Sequence, residues 1–300
     1  MLITTKLHIK NKKLRIYNLV KDFFVPKAVI YVHEESSLES AIIDLETKNL
    51  LAVDTEFIWR NTYFPKLSLI QISTDEKIYI FDCLTLNTSI LERIFHNRNI
   101  LKIFHSIRGD SSVIFNCLGV KLENVFDTQL AEDILNQNNG EQISYKKLVK
   151  KYFYKNISKS ETNSDWERRP LIKKQLKYAA EDVRYLHSIM DIQNKKIKRS
   201  NKFDLFLTLC EKENELGQED FSISRLKRLK KRNKNLSSKE IEIFIWRENQ
   251  AKQHNLPPSY IFKDRYLKKL KNLIDENNFN ECKWIIKKDS SRDEFISFFE

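Results

Sequence analysis

Only four glycines occur in the 300 residues, Gly109, Gly119, Gly140 and Gly217. A P-loop or a dinucleotide fingerprint needs several glycines within about eight residues. No two of these lie close enough, which excludes a glycine-rich phosphate cradle. Cysteine is equally sparse: Cys83, Cys117, Cys210 and Cys282 are scattered with no CxxC pair. That excludes a zinc ribbon and a disulfide framework, and it predicts reduced thiols in a cytoplasmic setting. No apolar run approaches the roughly 18 residues of a membrane span, so no membrane partner is expected. The basic start, MLITTKLHIKNKKLRIYNL, lacks a continuous apolar core and a small-residue cleavage site, and no signal peptide is expected there.

What is present argues for a folded, polyanion-seeking chain. Hydrophobic residues make up 41% and charged residues 31%, enough for a core under a charged surface and too apolar for general disorder. The formal net charge of +12 points to nucleic acid or an acidic membrane face. A plainer account is a lysine-rich genome that spreads charge without purpose.

Residues 1–26 read as a basic extension. Strands are expected at AVIYV (28–32), LLAVDTEF (50–57), KLSLIQIS (66–73), KIYIFD (77–82) and ILKIFH (100–105), all β-branched or aromatic-rich. Helices are expected near 38–49, 87–97, 110–119, 127–135 and 144–153, and over one long stretch at 173–196. Antiparallel strands first, then alternating strand and helix, give a mixed sheet covered by helices, an order that fits a ribonuclease-H-like α/β domain and also other α/β folds. Strand signals vanish past residue 200. FDLFLTLCEKENEL reads as helical, and 201–234 as a helical and basic linker. Ser237 to Glu240 forms a capping-box pattern that opens a small all-α bundle over 235–300.

Asp54 and Glu56 are two apart on a predicted strand, so both carboxylates project to one side. Like charges at that spacing repel unless a cation sits between them. A solvated acid pair at a strand end is the structural alternative. Tyr178 and Asp182, four apart on a predicted helix, share one face beside its apolar stripe. Asp110 begins a helix, where it serves either as an N-cap or as a metal ligand. Together these acids supply what phosphodiester hydrolysis by two divalent ions requires: oxygen ligands from several elements and a hydroxyl beside the attacking water.

Three segments then carry a resemblance. LAVDTEFIWRNTYFPKLSLIQIS resembles the first motif of the DEDD 3′→5′ exonucleases in its ribonuclease D form, and IFHSIRGDSSVIF resembles the second. SDWERRPLIKKQLKYAAEDVRYL resembles the third, with the Tyr-x-x-x-Asp spacing of the tyrosine subclass. The resemblance runs through about residues 28–195 and assigns 27–200 to an exonuclease domain. It implies that Asp54, Glu56, Asp110 and Asp182 bind two divalent ions, Mg2+ or Mn2+, and that Tyr178 positions the water. It also implies trimming of RNA 3′ ends to nucleoside 5′-monophosphates, with tRNA precursors as partners; the oligomeric state stays open, with a monomer favoured. IFIWRENQAKQHNLPPSYIFKDRYLKKL resembles the opening of an HRDC domain. The chain departs from the family pattern at Ile172, where Ser or Thr often caps, and at Ser111, where an apolar residue is commoner.

Other positions keep two readings. Trp166 is either a core anchor or, with Arg168 and Arg169, a brace for the third motif or an RNA contact. His105, at a strand end, is expected to bond to backbone. The run containing Arg225, Lys227, Arg228, Lys230, Lys231 and Arg232 either neutralises RNA phosphates or is a solvated linker. A DNA exonuclease of the same fold and a non-catalytic RNA-binding module stay open beside the RNA exonuclease.

Overall fold

The structure, a computed structural model, describes residues 27–136, 142–158 and 160–300, so the amino-terminal extension lies outside the described residues. The chain divides into two units. One holds the described residues through Ile58 together with Lys66–Gln218, and the other holds Trp59–Pro65 and Glu219–Glu300.

The first unit is built on a six-stranded mixed sheet of β1 (Ala28–Val32), β2 (Leu50–Ile58), β3 (Lys66–Ser73), β4 (Lys77–Asp82), β5 (Leu101–Phe104) and β6 (Val125–Asp127). Their order is β1-β4-β3-β2-β5-β6. β3 runs antiparallel to β2 and β4, whereas β1, β5 and β6 pair in parallel. Both faces of the central strands are buried, which is why these segments read as near-continuous apolar runs. Leu51 and Val53 pack on one face with Ile42 and Leu45 of α1 (Glu35–Glu46). Ala52, Ile78, Ile80 and Ile103 pack on the other with Ala179, Ala180 and Val183 of α6 (Lys173–Arg184). The alternation therefore aims Asp54 and Glu56, which continue the Ala52 side, at α6.

Several expectations need correction. In place of a helix over 87–97 there is a 3₁₀ turn, Thr88–Leu91, and one helical turn, α2 (Glu92–Phe95). The expected helix at 127–135 begins one residue later as α4 (Thr128–Asn136). Its expected first residue, Asp127, instead ends β6, a three-residue strand that only pairing with β5 could reveal. The expected helix at 110–119 starts earlier, as α3 (Arg108–Leu118). Gly119 follows it at φ 72°, the left-handed conformation that ends helices. α5 (Tyr145–Phe153) matches its expected place. The long helix over 173–196 is two, α6 and α7 (Leu186–Arg199), broken at Tyr185. The Tyr145 hydroxyl sits at that break, donating to the Glu181 carbonyl (3.0 Å) and accepting from the Tyr185 N–H (3.1 Å).

The 201–234 segment is not a linker. α8 (Phe203–Gly217) packs in the first unit against α3 and β6. A methyl group at Gly217 would lie 2.7 Å from the Arg108 carbonyl oxygen, so close packing there demands glycine. Ser111, the departure noted above, donates its hydroxyl to Asn214 Oδ1 of α8 at 2.8 Å. α9 (Phe221–Arg232) belongs to the second unit. That unit continues with α10 (Ser238–Gln253), α11 (Pro258–Ile261), α12 (Leu267–Asp275), α13 (Phe279–Ile285) and α14 (Ser290–Phe299). Ser237 and Glu240 form the expected capping box at α10. Its core gathers Ile243, Phe244, Ile261, Phe262, Leu270 and Phe295 around Tyr63, which comes from the β2–β3 connection. Asn255 holds that connection by accepting from the Tyr63 and Phe64 N–H groups, each at 3.1 Å.

Candidate active site

Asp54 and Glu56 of β2 and Asp182 of α6 converge, with one carboxylate oxygen from each lying within 4.8 Å of the others. All three are half-buried. Asp110 approaches from α3, which packs on the Leu51–Val53 face. It is 7% exposed and is not an N-cap, because α3 starts two residues before it. Instead its Oδ1 accepts from the Thr55 hydroxyl at 2.6 Å. Thr55 lies between the two β2 acids and points to the opposite face, so it ties the fourth acid to the strand that bears the first two.

The electrostatics of this cluster are unfavourable without a counter-charge. Desolvation, then the charge of Asp182, raises the Asp54 carboxyl well above its usual range. Desolvation, then the charges of Asp54, Asp182 and Asp110, pushes Glu56 up to about 10. Burial, then Asp54, raises Asp110 despite the Thr55 hydrogen bond. Among the described residues no Lys or Arg side chain offsets Asp54 or Glu56. Anionic oxygens drawn from separate elements are what a hard divalent cation takes, so the donor set fits such an ion.

Tyr178 is raised too, first by burial and then by Asp182, and therefore stays a neutral phenol. Its hydroxyl lies 3.1 Å from the Thr162 hydroxyl, and its ring centroid is 6.0 Å from that of Trp166. Trp166 is a core anchor, 2% exposed. A cavity of about 300 Å³ opens beside the cluster, lined by Asp54, Tyr178 and Asp182 together with His105, Tyr145 and Lys146. His105 Nδ1 sits 3.0 Å from the Thr128 hydroxyl, a side-chain partner where a backbone one was expected.

Among the supporting residues, Asp127 was not legible in the sequence, whereas Arg169 was named there as one reading of the segment before α6. Asp127, buried at the end of β6, accepts from the N–H groups of Ser106 (3.0 Å), Ile107 (2.8 Å) and Gln129 (2.7 Å). It thereby fixes the turn that delivers Asp110. Arg169 forks onto Asp82 (Nη2–Oδ1 2.7 Å) while also donating to the Trp166 carbonyl (2.8 Å), bracing the segment before α6. At the α6 start, Gln175 supplies the cap that Ile172 lacks by accepting from the Ile172 N–H at 3.1 Å. The Gln three residues into α6 was the one local signal available.

The six cations singled out in 225–232 lie on α9, apart from this cluster in the division of the chain. Arg225 pairs with Glu248, and Lys227 pairs with Glu219.

A profile of the 3′-5′ exonuclease family matches residues 29–198, more than half of the chain. The chain belongs to that family. Curated relatives of the chain include ribonuclease D of Bartonella henselae, 30% identical over 242 residues, covering 79% of this chain and 59% of the relative. Ribonuclease D of Desulfotalea psychrophila is 35% identical over 229 residues, covering 72% and 59%. The chain thus spans about three fifths of the length of these relatives. In fold it is similar to Escherichia coli RNase D, an exoribonuclease involved in structured RNA processing. The TM-score is 0.74 at 25% identity, covering 81% of this chain and 66% of that one. The likeness to ribonuclease D carried by the three motifs therefore extends through sequence and fold.

Proposed function

We propose that the chain is a ribonuclease D-like 3′→5′ exoribonuclease, dependent on Mg2+ or Mn2+, that releases nucleoside 5′-monophosphates from RNA 3′ ends. On this reading it acts on tRNA precursors in cytoplasmic tRNA 3′ maturation. The helical second unit is its HRDC-like module. The observation that carries the reading is the convergence of Asp54, Glu56 and Asp182 within 4.8 Å on elements from opposite ends of the catalytic domain.

When bound, divalent ions would supply an activated water and neutralise charge developing on the phosphate. Asp54, Glu56 and Asp182 would hold the cations. Asp110, oriented by Thr55, completes the set. Tyr178, kept protonated beside the acids and steadied by Thr162, orients the attacking water through its hydroxyl. The cavity beside them accepts the terminal nucleotide, with Lys146 in its wall to meet anionic oxygen.

The test is digestion of a tRNA bearing a 3′ trailer, with metal titrated and products resolved by length. Stepwise shortening is expected with the native chain and none with Asp54→Asn. Full activity in that variant overturns the metal assignment, and faster cleavage of a matched DNA oligonucleotide turns the reading to a DNA exonuclease.

A further inference from the structure

The second unit contains a cavity of about 490 Å³ between α9, α10 and the α11–α12 connection. Its lining is dominated by charge of one sign. Arg225, Arg228 and Arg232 enter it from α9, Arg247 from α10, and Lys263 and Arg265 from the connection, against one carboxylate, Asp264. Positions 225, 228, 229 and 232 recur at helical spacing, so Leu229 seats the helix on the core while the three arginines line one face. Lys227, Lys230 and Lys231 lie off that face and do not line the cavity.

The cations differ in how they are held. Arg247 is 3% exposed, bonded to Glu248 (2.9 Å) and Asp264 (2.6 Å), and Arg225 is bonded to Glu248 (2.8 Å) and lies 4.6 Å over the Tyr63 ring. These two are fixed structural charges, and they consume both nearby acids. Arg228, Arg232 and Lys263 have no carboxylate partner among the described residues, although they are exposed on the rim of the same cavity. Arg265 donates to the Tyr266 hydroxyl (2.9 Å) and has no carboxylate partner among the described residues. Like charges gathered this closely repel, and a concave wall concentrates their field on whatever anion enters.

We propose that this cavity is a phosphodiester-binding site that grips the backbone of single-stranded RNA, with Arg228, Arg232 and Lys263 contacting phosphates and Arg225 and Arg247 holding the wall. The choice of RNA as occupant rests on the exoribonuclease reading; the anion site itself does not. Recognition is of backbone charge, so the site is indifferent to base sequence.

The experiment uses the full chain and a 5′-fluorescent single-stranded RNA, with binding read by anisotropy in EDTA so that no cleavage occurs. Arg228→Gln with Arg232→Gln is compared with Lys230→Gln with Lys231→Gln. The second pair removes the same charge from the same helix outside the cavity. The cavity pair should weaken binding about tenfold or more and lower the salt slope by about two. The control pair should weaken binding severalfold less, and Lys263→Gln should act in the same direction as the cavity pair. All five substituted side chains are exposed, and melting temperatures check that each variant is folded. Unchanged binding in the cavity pair, or an equal loss in both pairs, overturns the site. Competition by poly-glutamate as effective as by unlabelled RNA of equal charge overturns RNA as the occupant. Loss of binding in the cavity pair, with a native chain that shortens no RNA in Mg2+, leaves this site standing and removes the exoribonuclease reading instead.

Discussion

Asp82 ends β4 fully buried, and a phenol and a guanidinium converge on it, from Tyr31 and Arg169. Asp54 and Glu56 lie two strands away on β2 in the same sheet, and among the described residues no such cation meets them. Burial pushes Asp82 upward, but its bonds from Arg169, Tyr31 and the Leu84 N–H outweigh that and hold its carboxyl below the usual range. At Asp54 and Glu56 desolvation and mutual repulsion act together with little to oppose them. A fold that neutralises one buried acid so fully has left the others uncompensated, which marks them as places for an external cation.

The comparison breaks most sharply at Arg169. Arg169→Ala leaves Asp82 buried without its partner and should cost about 3–5 kcal/mol in urea unfolding. Replacing both partners, Asp82→Asn with Arg169→Gln, should cost less than the single change. At the other site the sign reverses. Asp54→Asn should lower RNA cleavage about 10²–10³-fold or more, the range for removing one electrostatic support of a transition state. The same variant should melt higher than the native chain in EDTA, because a repelling charge is gone. Divalent ion at a hundredfold its dissociation constant should stabilise the native chain by about 2.7 kcal/mol, read as a raised melting temperature that Asp54→Asn lacks.

Acid titration separates the two sites further. The Asp82 carboxyl lies lower in the folded than in the unfolded chain, so its contribution is complete above the unfolded value near pH 4. It should fade as pH falls through the lower folded value, and Asp82→Asn should flatten that part of the stability profile. The smallest effect is expected at the link between strand and helix. Thr55→Val, nearly isosteric, removes the hydroxyl bonded to Asp110 and should cost about 1 kcal/mol of stability. Its loss of cleavage should be smaller than that of Asp54→Asn.

Legibility in the sequence followed the range of the interactions. The runs at 66–73 and 77–82 match β3 and β4 residue for residue because alternation and β-branching are local. β6 escaped because three residues carry no period of their own and become a strand only by pairing with β5. The break at Tyr185 escaped because the hydroxyl seated there comes from Tyr145, forty positions earlier. Thr55 and Asp127 had no local pattern to announce them, since each acts through a partner distant in the chain, and the brace reading of Arg169 was decided only by its distant partner Asp82.

By itself, the order of residues determined which acids share a strand side or a helix face, since two-residue and four-residue periods are properties of the backbone. Tertiary structure alone decided that β2 and α6 press their acidic faces together and that Thr55 leashes Asp110 to them. It also decided that three arginines of α9 turn into one cavity while neighbouring lysines turn away. Side-chain charge is written locally. Its compensation, or lack of it, depends on which distant groups the packed core brings within a few ångströms.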